Sequence, residues 1–431
     1  MTEAQPIQIT GEFHEAMDLI ENSGNAPVFV TGSAGTGKST LLKLYRDSTA
    51  DNVVCLAPTG VAALNIVGQT IHSFFAFPPR LLQPGEFKIW KNKRLIKKLD
   101  TIIIDEISMV RADLMDGIDY YLRAVRKSEV PFGGVKMVFF GDLFQLPPIV
   151  RGAVESDYFN TEFETPYFFS AHVFQEVGLK VCELREVFRQ TDKELVKLLN
   201  RIRTHTFDRE DLEVINQCVD PTFVLPDLCI TLAGRNDVVS AINRQKLAEI
   251  EAEPKLYPAK VKGKFPPNSF PTDQVLSLKE GAQVIFLRND PEFKFVNGTL
   301  GKVMEVGKDH VLVSVSDENG KTDLIEVEPF KWDMIEYKFD ATSKAVKSKS
   351  IGEFVQYPLK LAWALTIHKS QGKTFDRVYI DLSKGGAFES GQAYVALSRC
   401  RTKEGIVLKR PILPGDIKID HRISEFFKYG V

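Results

Sequence analysis

The chain has 431 residues, 44% of them hydrophobic and 26% charged, with a formal net charge of −2. That length exceeds one ordinary core and suits roughly two to four compact units. No window approaches the ~18 uninterrupted apolar residues of a membrane span, and the near-neutral balance excludes a globally basic nucleic-acid binder, so such a partner would have to be met by locally arranged charge.

The five cysteines, Cys55, Cys182, Cys218, Cys229 and Cys400, form no C-x-x-C pair. This argues against a disulfide framework or a structural zinc site. Residues 1–11 carry no basic-then-apolar leader, and a reducing, cytoplasmic setting is expected.

Short apolar runs at residues 26–31, 52–57, 101–105 and 135–140 are each followed by Gly, Pro or acidic residues and then by helical patterning. They predict parallel strands joined by crossover helices. A second series at 228–233, 377–382 and 405–408 predicts a second sheet of the same kind. The expected fold is therefore α/β with two domains, 1–178 and 179–431, meeting near Leu179. Two stretches interrupt the pattern. Residues 72–99 carry Pro78, Pro79 and Pro84, then the basic run Lys88, Lys91, Lys93, Arg94, Lys97 and Lys98. Residues 293–357 are strand-like, with Asn297-Gly298 and Asn319-Gly320 as hairpin signals around the alternating run 311–315, and predict a small β-barrel inserted in the second domain.

In the first series, Val28-Phe29-Val30 leads into Gly32-Ser33-Ala34-Gly35-Thr36-Gly37-Lys38-Ser39 and then the helical run Thr40-Leu41-Leu42-Lys43-Leu44. Strand, G-x-x-x-x-G-K-S and helix in that order form a phosphate cradle. The backbone from Gly35 through Thr36 and Gly37 to Thr40 can wrap phosphates at a helix N-terminus. Lys38 would reach the β- and γ-phosphates and the Ser39 hydroxyl would ligate Mg²⁺. Thr101-Ile102-Ile103-Ile104 then delivers Asp105 and Glu106 at the end of an apolar strand. Asp105 suits Mg²⁺, and Glu106 suits orienting and deprotonating an attacking water. Together these sites predict an Mg-ATPase, but many P-loop families share that chemistry.

Further segments narrow the choice. Ala57-Pro58-Thr59-Gly60-Val61-Ala62-Ala63 with Gly68-Gln69-Thr70-Ile71-His72-Ser73-Phe74 resembles motif Ia of the Pif-one and RecD-like helicases, and Asp105-Glu106-Ile107-Ser108-Met109 resembles their motif II. Gly141-Asp142-Leu143-Phe144-Gln145-Leu146-Pro147-Pro148 looks like motif III and Leu184-Arg185-Glu186-Val187-Phe188-Arg189-Gln190 like motif IV. Leu365-Thr366-Ile367-His368-Lys369-Ser370-Gln371-Gly372 and Tyr394-Val395-Ala396-Leu397-Ser398-Arg399 are similar to motifs V and VI. The phosphate cradle and these six motifs, in an order that extends from Gly32 to Arg401, cover nearly the whole chain, and residues 113–134 look like the signature region of the Pif-one branch.

The resemblance implies a helicase that runs 5′ to 3′ on single-stranded DNA, with two RecA-like domains, an inserted barrel of the Src-homology-three-like type and a wedge-like insertion at 72–99. It implies ATP and Mg²⁺ as cofactors, Gln145 as a γ-phosphate sensor, Arg189 and Arg399 as arginine fingers from the second domain, and Gly372 near the nucleotide. The family's Gln near the adenine is replaced here by Phe13, with Gln8 as the substitute, and Cys400 stands where Ala is commoner. Implied strand contacts are Thr59, His72, Ser73 and Phe74 in the first domain and Asn236, Thr366, His368 and Lys369 in the second.

Phe74, Phe75, Phe77 and Phe144 are candidates for stacking on bases or for ordinary core. The run 88–98 fits a solvated helix face as well as it fits DNA. Phe77-Pro78-Pro79-Arg80 is stiff enough for a duplex-parting wedge. Implied partners are single-stranded DNA and duplex junctions, with G-quadruplexes among the candidate structures and a monomer as the expected state. Two rivals stand beside this reading, an ATP-dependent nucleic-acid clamp that never parts strands and an RNA helicase. Asp105-Glu106-Ile107-Ser108 lacks the D-E-A-D pattern of the latter.

Overall fold

The computed structural model describes residues 9–78, 80–82, 92–190, 192–290, 292, 294–316, 322–340 and 345–429. The chain forms two compact units. The first comprises Pro6–Phe188, Asp333–Gly352 and Asp420–Val431, and the second Arg189–Trp332 and Glu353–Ile419.

The first unit is built on six strands: β1 (Val28–Gly32), β2 (Val53–Ala57), β3 (Gln69–Thr70), β4 (Thr101–Ile104), β5 (Lys136–Phe140) and β6 (Lys180–Leu184), in the spatial order β3-β2-β4-β5-β1-β6. All neighbours run parallel, with Val28 opposite both Val138 and Lys180. Every residue of β1 and β4 is buried, as expected when helices cover both faces of a parallel sheet. Leu41, Leu42 and Tyr45 of the helix Lys38–Ser48 pack with Val30, Ile103 and Phe140 in one core. Each such side chain contributes about 1.5–3 kcal/mol by burial, and truncating Leu42 to Ala would cost about 2–5 kcal/mol.

The boundary expected near Leu179 falls one strand short, because β6 pairs with β1 through Leu184. The second-domain span 179–431 also loses two pieces to the first unit. Tyr337 docks on β2, its hydroxyl accepting the Cys55 N–H at 3.2 Å. The C-terminal helix His421–Tyr429 docks by stacking Phe426 on Phe169 and Phe427 on Phe144. β3 is only two residues long and pairs with Leu56 and Ala57, so Cys55 extends beyond its ladder and the tyrosine completes the hydrogen bonding there.

The second unit opens its sheet with β7 (Ile230–Ala233). An insertion of β8 (Lys255–Pro258), β9 (Lys260–Gly263), β10 (Val275–Leu278), β11 (Gln283–Phe286), β12 (Leu300–Val306), β13 (Val311–Ser316), β14 (Thr322–Val327), β15 (Phe330–Asp340), β16 (Ala345–Gln356) and β17 (Leu359–Leu361) follows. Then β18 (Ala364–Thr366), β19 (Val378–Asp381) and β20 (Ile406–Leu408) complete a parallel sheet ordered β18-β7-β19-β20.

The insertion starts well before the expected residue 293. Its main sheet is antiparallel, ordered β14-β13-β12-β11-β17, with Val303, Val311, Val313 and Val327 facing one core. The alternation of 311–315 is thus that of a half-buried strand. Asn319-Gly320 lies outside the described residues. Asn297-Gly298 is not a two-residue hairpin turn but part of the long connection from β11 to β12, where Gly298 takes φ +109°. Of the basic run, Lys88 and Lys91 lie outside the described residues. Lys93, Arg94, Lys97 and Lys98 are exposed around the buried Leu95 and Ile96, the solvated-face arrangement.

Candidate active site and strand-contact residues

In the first sheet the carboxyl ends of β1, β5 and β4 lie side by side, the edge at which parallel α/β sheets present ligand sites. The turn after β1 holds Gly35 at φ +89° and Gly37 at φ +81°, left-handed conformations that suit glycine. A Cβ on Gly37 would lie 2.6 Å from the Phe13 ring, so the turn sits directly against that buried side chain. Lys38 donates from Nζ to the carbonyl oxygens of Gly32 and Ser33 at 2.8 and 2.9 Å, and Thr36 donates to Ser33 at 3.0 Å.

Asp105 follows β4. Burial pushes its carboxyl up to about 6, opposed by the Glu106 N–H that donates to it at 2.9 Å and by the charges of Lys38 and Lys43. Glu106 itself takes φ +52°, an uncommon conformation for a non-glycine residue that recurs at functional sites. After β5, the buried Asp142 accepts from Gln145 Nε2 at 3.2 Å and fixes the amide. Asp142 was not singled out in the sequence, although its spacing three residues before Gln145 is the available signal.

This edge fits a nucleotide and Mg²⁺. It offers left-handed glycines that leave room for phosphate oxygens, a lysine that donates to two backbone carbonyls, and a carboxylate and a serine on the same edge. Mg²⁺ takes few protein ligands when phosphates supply the rest. Gln8, the proposed base contact, lies outside the described residues. Phe13 is 2% exposed and belongs to the core. Beside it, Phe188 is 41% exposed, meets Phe13 edge-on at 6.2 Å and donates its N–H to the Gly35 carbonyl at 2.9 Å. The sequence reading passed over Phe188, although it immediately precedes Arg189.

In the second unit, Nη1 of Arg189 is buried without a hydrogen-bond partner, and burial lowers the guanidinium's pKa. Arg399 is 1% exposed and differs in kind. Its Nε donates to Val395 O at 2.7 Å, Nη1 to Ser370 O and Lys373 O at 3.2 Å each, and Nη2 to Ser398 Oγ at 2.6 Å. Gln190 Nε2 donates to Ser398 O and Cys400 O at 3.0 and 3.3 Å. Motifs IV, V and VI are therefore laced together, with Gly372 at φ +76° facing open space.

The strand-contact candidates fall at equivalent places in the two sheets. Thr59 follows β2, and His72 and Ser73 follow β3. Asn236 follows β7, and His368 and Lys369 follow β18. Thr59 and Thr366 are helix caps whose hydroxyls accept from Ala62 N and Lys369 N at 3.2 Å. His72 is held below its ordinary pKa mainly by burial, Ser73 Oγ accepts from Gln69 at 2.9 Å, and His368 pairs with Glu389 at 2.8 Å. Asn236 and Lys369 are exposed.

The aromatic candidates are corrected. Phe74, Phe75, Phe77 and Phe144 are at most 6% exposed. Phe75 stacks on Phe77 at 5.2 Å and Phe144 on Phe427 at 5.7 Å, so these rings are core and offer no face to a base. The segment expected to serve as a wedge keeps Pro78 and Arg80 exposed but is tied down behind them. Asp113 accepts the Leu82 N–H at 2.8 Å, and Arg111 donates to both Asp113 and the Arg80 carbonyl.

Cradle, carboxylate pair and glutamine on one parallel sheet, with a second parallel sheet downstream, are the layout of the P-loop class of two-sheet proteins. The profile of the PIF1-like helicase family matches residues 8–212, and that of the DNA helicase Pif1 2B domain matches 267–306, within the β-rich insertion. An ATP-dependent DNA helicase Pif1 from Bdellovibrio bacteriovorus is 31% identical over 98% of this chain and 92% of its own length.

The chain belongs to the PIF1-like helicase family. A zebrafish (Danio rerio) ATP-dependent DNA helicase PIF1 is 35% identical over 88% of this chain but only 58% of its own length, so the chain spans about three fifths of that relative. Pif1 from Bacteroides sp., solved with ADP-AlF4, is 38% identical and superposes with a TM-score of 0.90 over 98% of this chain and 97% of its own. The same protein bound to single-stranded DNA gives 0.70 at the same identity and coverage. No helix among the described residues is long and apolar enough to cross a membrane.

Proposed function

We propose that the chain is an ATP-dependent DNA helicase that moves 5′ to 3′ along single-stranded DNA and parts duplex or structured DNA. One observation carries the reading. Along the carboxyl edge of a single sheet, the nucleotide residues follow β1, β5 and β4, and the strand-contact residues follow the next two strands, β2 and β3. The same rigid element therefore reports on both ligands.

Lys38 leaves the Gly32 and Ser33 carbonyls to meet the β- and γ-phosphates, with the backbone from Gly35 to Thr40 around them. Ser39 and Asp105 would hold Mg²⁺, which offsets charge on the phosphate oxygens. Glu106 orients and deprotonates the attacking water, and Gln145, fixed by Asp142, senses the γ-phosphate. Arg189 and Arg399 oppose the charge that develops in the transition state. The exposed Phe188 ring offers the base a stacking surface. Thr59, His72, Ser73, Asn236, Thr366, His368, Lys369 and Gly372 keep the roles that the family likeness implies, whereas Phe74 does so only through packing. A monomer in the cytoplasm, acting at forks and G-quadruplexes as well as plain junctions, completes the proposal.

The discriminating experiment is steady-state ATP hydrolysis with and without nucleic acid. Single-stranded DNA should raise the rate at least about tenfold by favouring the hydrolysis-competent state. Equal or greater stimulation by RNA would move the chain to the RNA-helicase reading.

A further inference from the structure

Asn297-Gly298, prominent in the sequence as a turn signal, meets Lys373, the residue after motif V, instead of closing a hairpin. Gly298 N donates to the Phe286 carbonyl at 2.9 Å and Asn297 N to Asn289 Oδ1 at 2.7 Å, which fixes the pair to the end of β11. From there the Asn297 side chain accepts a hydrogen bond from Lys373 Nζ. The turn also lies along the lysine stem, since a Cβ on Gly298 would sit 3.5 Å from Lys373 Cβ.

Lys373 is itself fixed at both ends. Its N–H donates to Ser370 O at 3.0 Å, and its carbonyl accepts from Arg399 Nη1 at 3.2 Å. Burial lowers the ammonium's pKa to about 8, and among the described residues no carboxylate offsets that cost. Stability alone does not call for such a group, because an apolar side chain of the same length would fill the space without the desolvation penalty. What the charge adds is a directional tie to one amide oxygen.

We propose that Lys373 is a positioning residue for hydrolysis: through Asn297 and the Arg399 guanidinium it clips the β-rich insertion to motif VI, so that the state of the insertion sets the placement of Arg399. The proposal rests on Arg399 serving the transition state. It identifies the insertion as a regulator of turnover, not merely a strand-binding appendage.

The test measures DNA-stimulated kcat and KM for ATP on the full chain for Lys373→Met, Asn297→Leu, their combination, and Arg399→Ala as reference, with thermal melting as a check on folding. Lys373→Met and Asn297→Leu should each lower stimulated kcat about tenfold with KM within about twofold, the scale of an ordinary coupling energy. The double variant should be no slower than either single one, because both break one link. Asn297→Asp, which keeps an acceptor for the ammonium, should restore wild-type kcat, and it carries the test if Lys373→Met does not fold.

Losses that multiply to about a hundredfold in the double variant, or an unchanged kcat in both singles while Arg399→Ala is impaired, would overturn the clip. A raised KM with kcat intact would make Lys373 a nucleotide ligand and overturn it equally. An unimpaired Arg399→Ala would instead overturn the reading of Arg399 on which the clip rests.

Discussion

Two arginines that look alike in sequence are unlike in their surroundings. Arg189 has a buried nitrogen with no partner, an arrangement that costs about 1–3 kcal/mol until an anion arrives. Arg399 already spends its donors on three carbonyls and a hydroxyl. Removing Arg189 should therefore leave folding intact while lowering stimulated kcat by about 10³ or more, the range of an arginine finger. Removing Arg399 should lower kcat and also destabilise the second unit, since the carbonyls of Val395, Ser370 and Lys373 lose their donor. Melting curves beside initial rates separate the two. If Arg189→Ala melts early and Arg399→Ala does not, the structural role given to Arg399 beside its catalytic one belongs to Arg189 instead. The sequence marked both residues through their motifs but could not tell them apart, because the difference lies in carbonyls that only the tertiary fold brings together.

At the level of elements, the phosphate turn, the acidic strand end and seven of the strands were legible, because continuous apolar runs and glycine punctuation are local signals. What was not legible depends on distant partners. β6 lies in the first sheet because Val28–Gly32 leaves an open edge for it. Phe74 is core because Phe75 and Tyr337 enclose it. The proposed wedge rests on the prolines of its segment, whereas the anchor in Arg111 and Asp113 has no local signal. That anchor makes a prediction. Asp113 is 3% exposed and pairs with Arg111 at 2.8 Å while holding Leu82, and breaking such a buried pair costs about 3–5 kcal/mol locally. Asp113→Asn should slow duplex unwinding severalfold and leave DNA-stimulated ATPase within about twofold, measured side by side. Parallel loss of both activities would mean that the pair supports the catalytic sheet and not the wedge.

Across the whole molecule, two parallel sheets carry the proposed ligand residues after the carboxyl ends of their strands. In the first, the proposed nucleotide and strand-contact residues share one edge. In the second, the proposed strand-contact residues follow β7 and β18, and Arg399 lies on motif VI, laced to motif V. A motor of the proposed kind needs this economy, because hydrolysis must change the grip on the strand without a separate relay. Direction is the part of the proposal that residue chemistry alone does not dictate, since the ATP site is common to motors of both polarities, and it rests on the likeness of the motifs to those of the Pif-one helicases. Strand separation on duplexes carrying only a 5′ or only a 3′ single-stranded tail, with ATP and Mg²⁺ present, therefore tests the central claim most directly. The account predicts opening of the 5′-tailed duplex and none of the 3′-tailed one. Faster opening of the 3′-tailed duplex, or hydrolysis that opens neither, would contradict it.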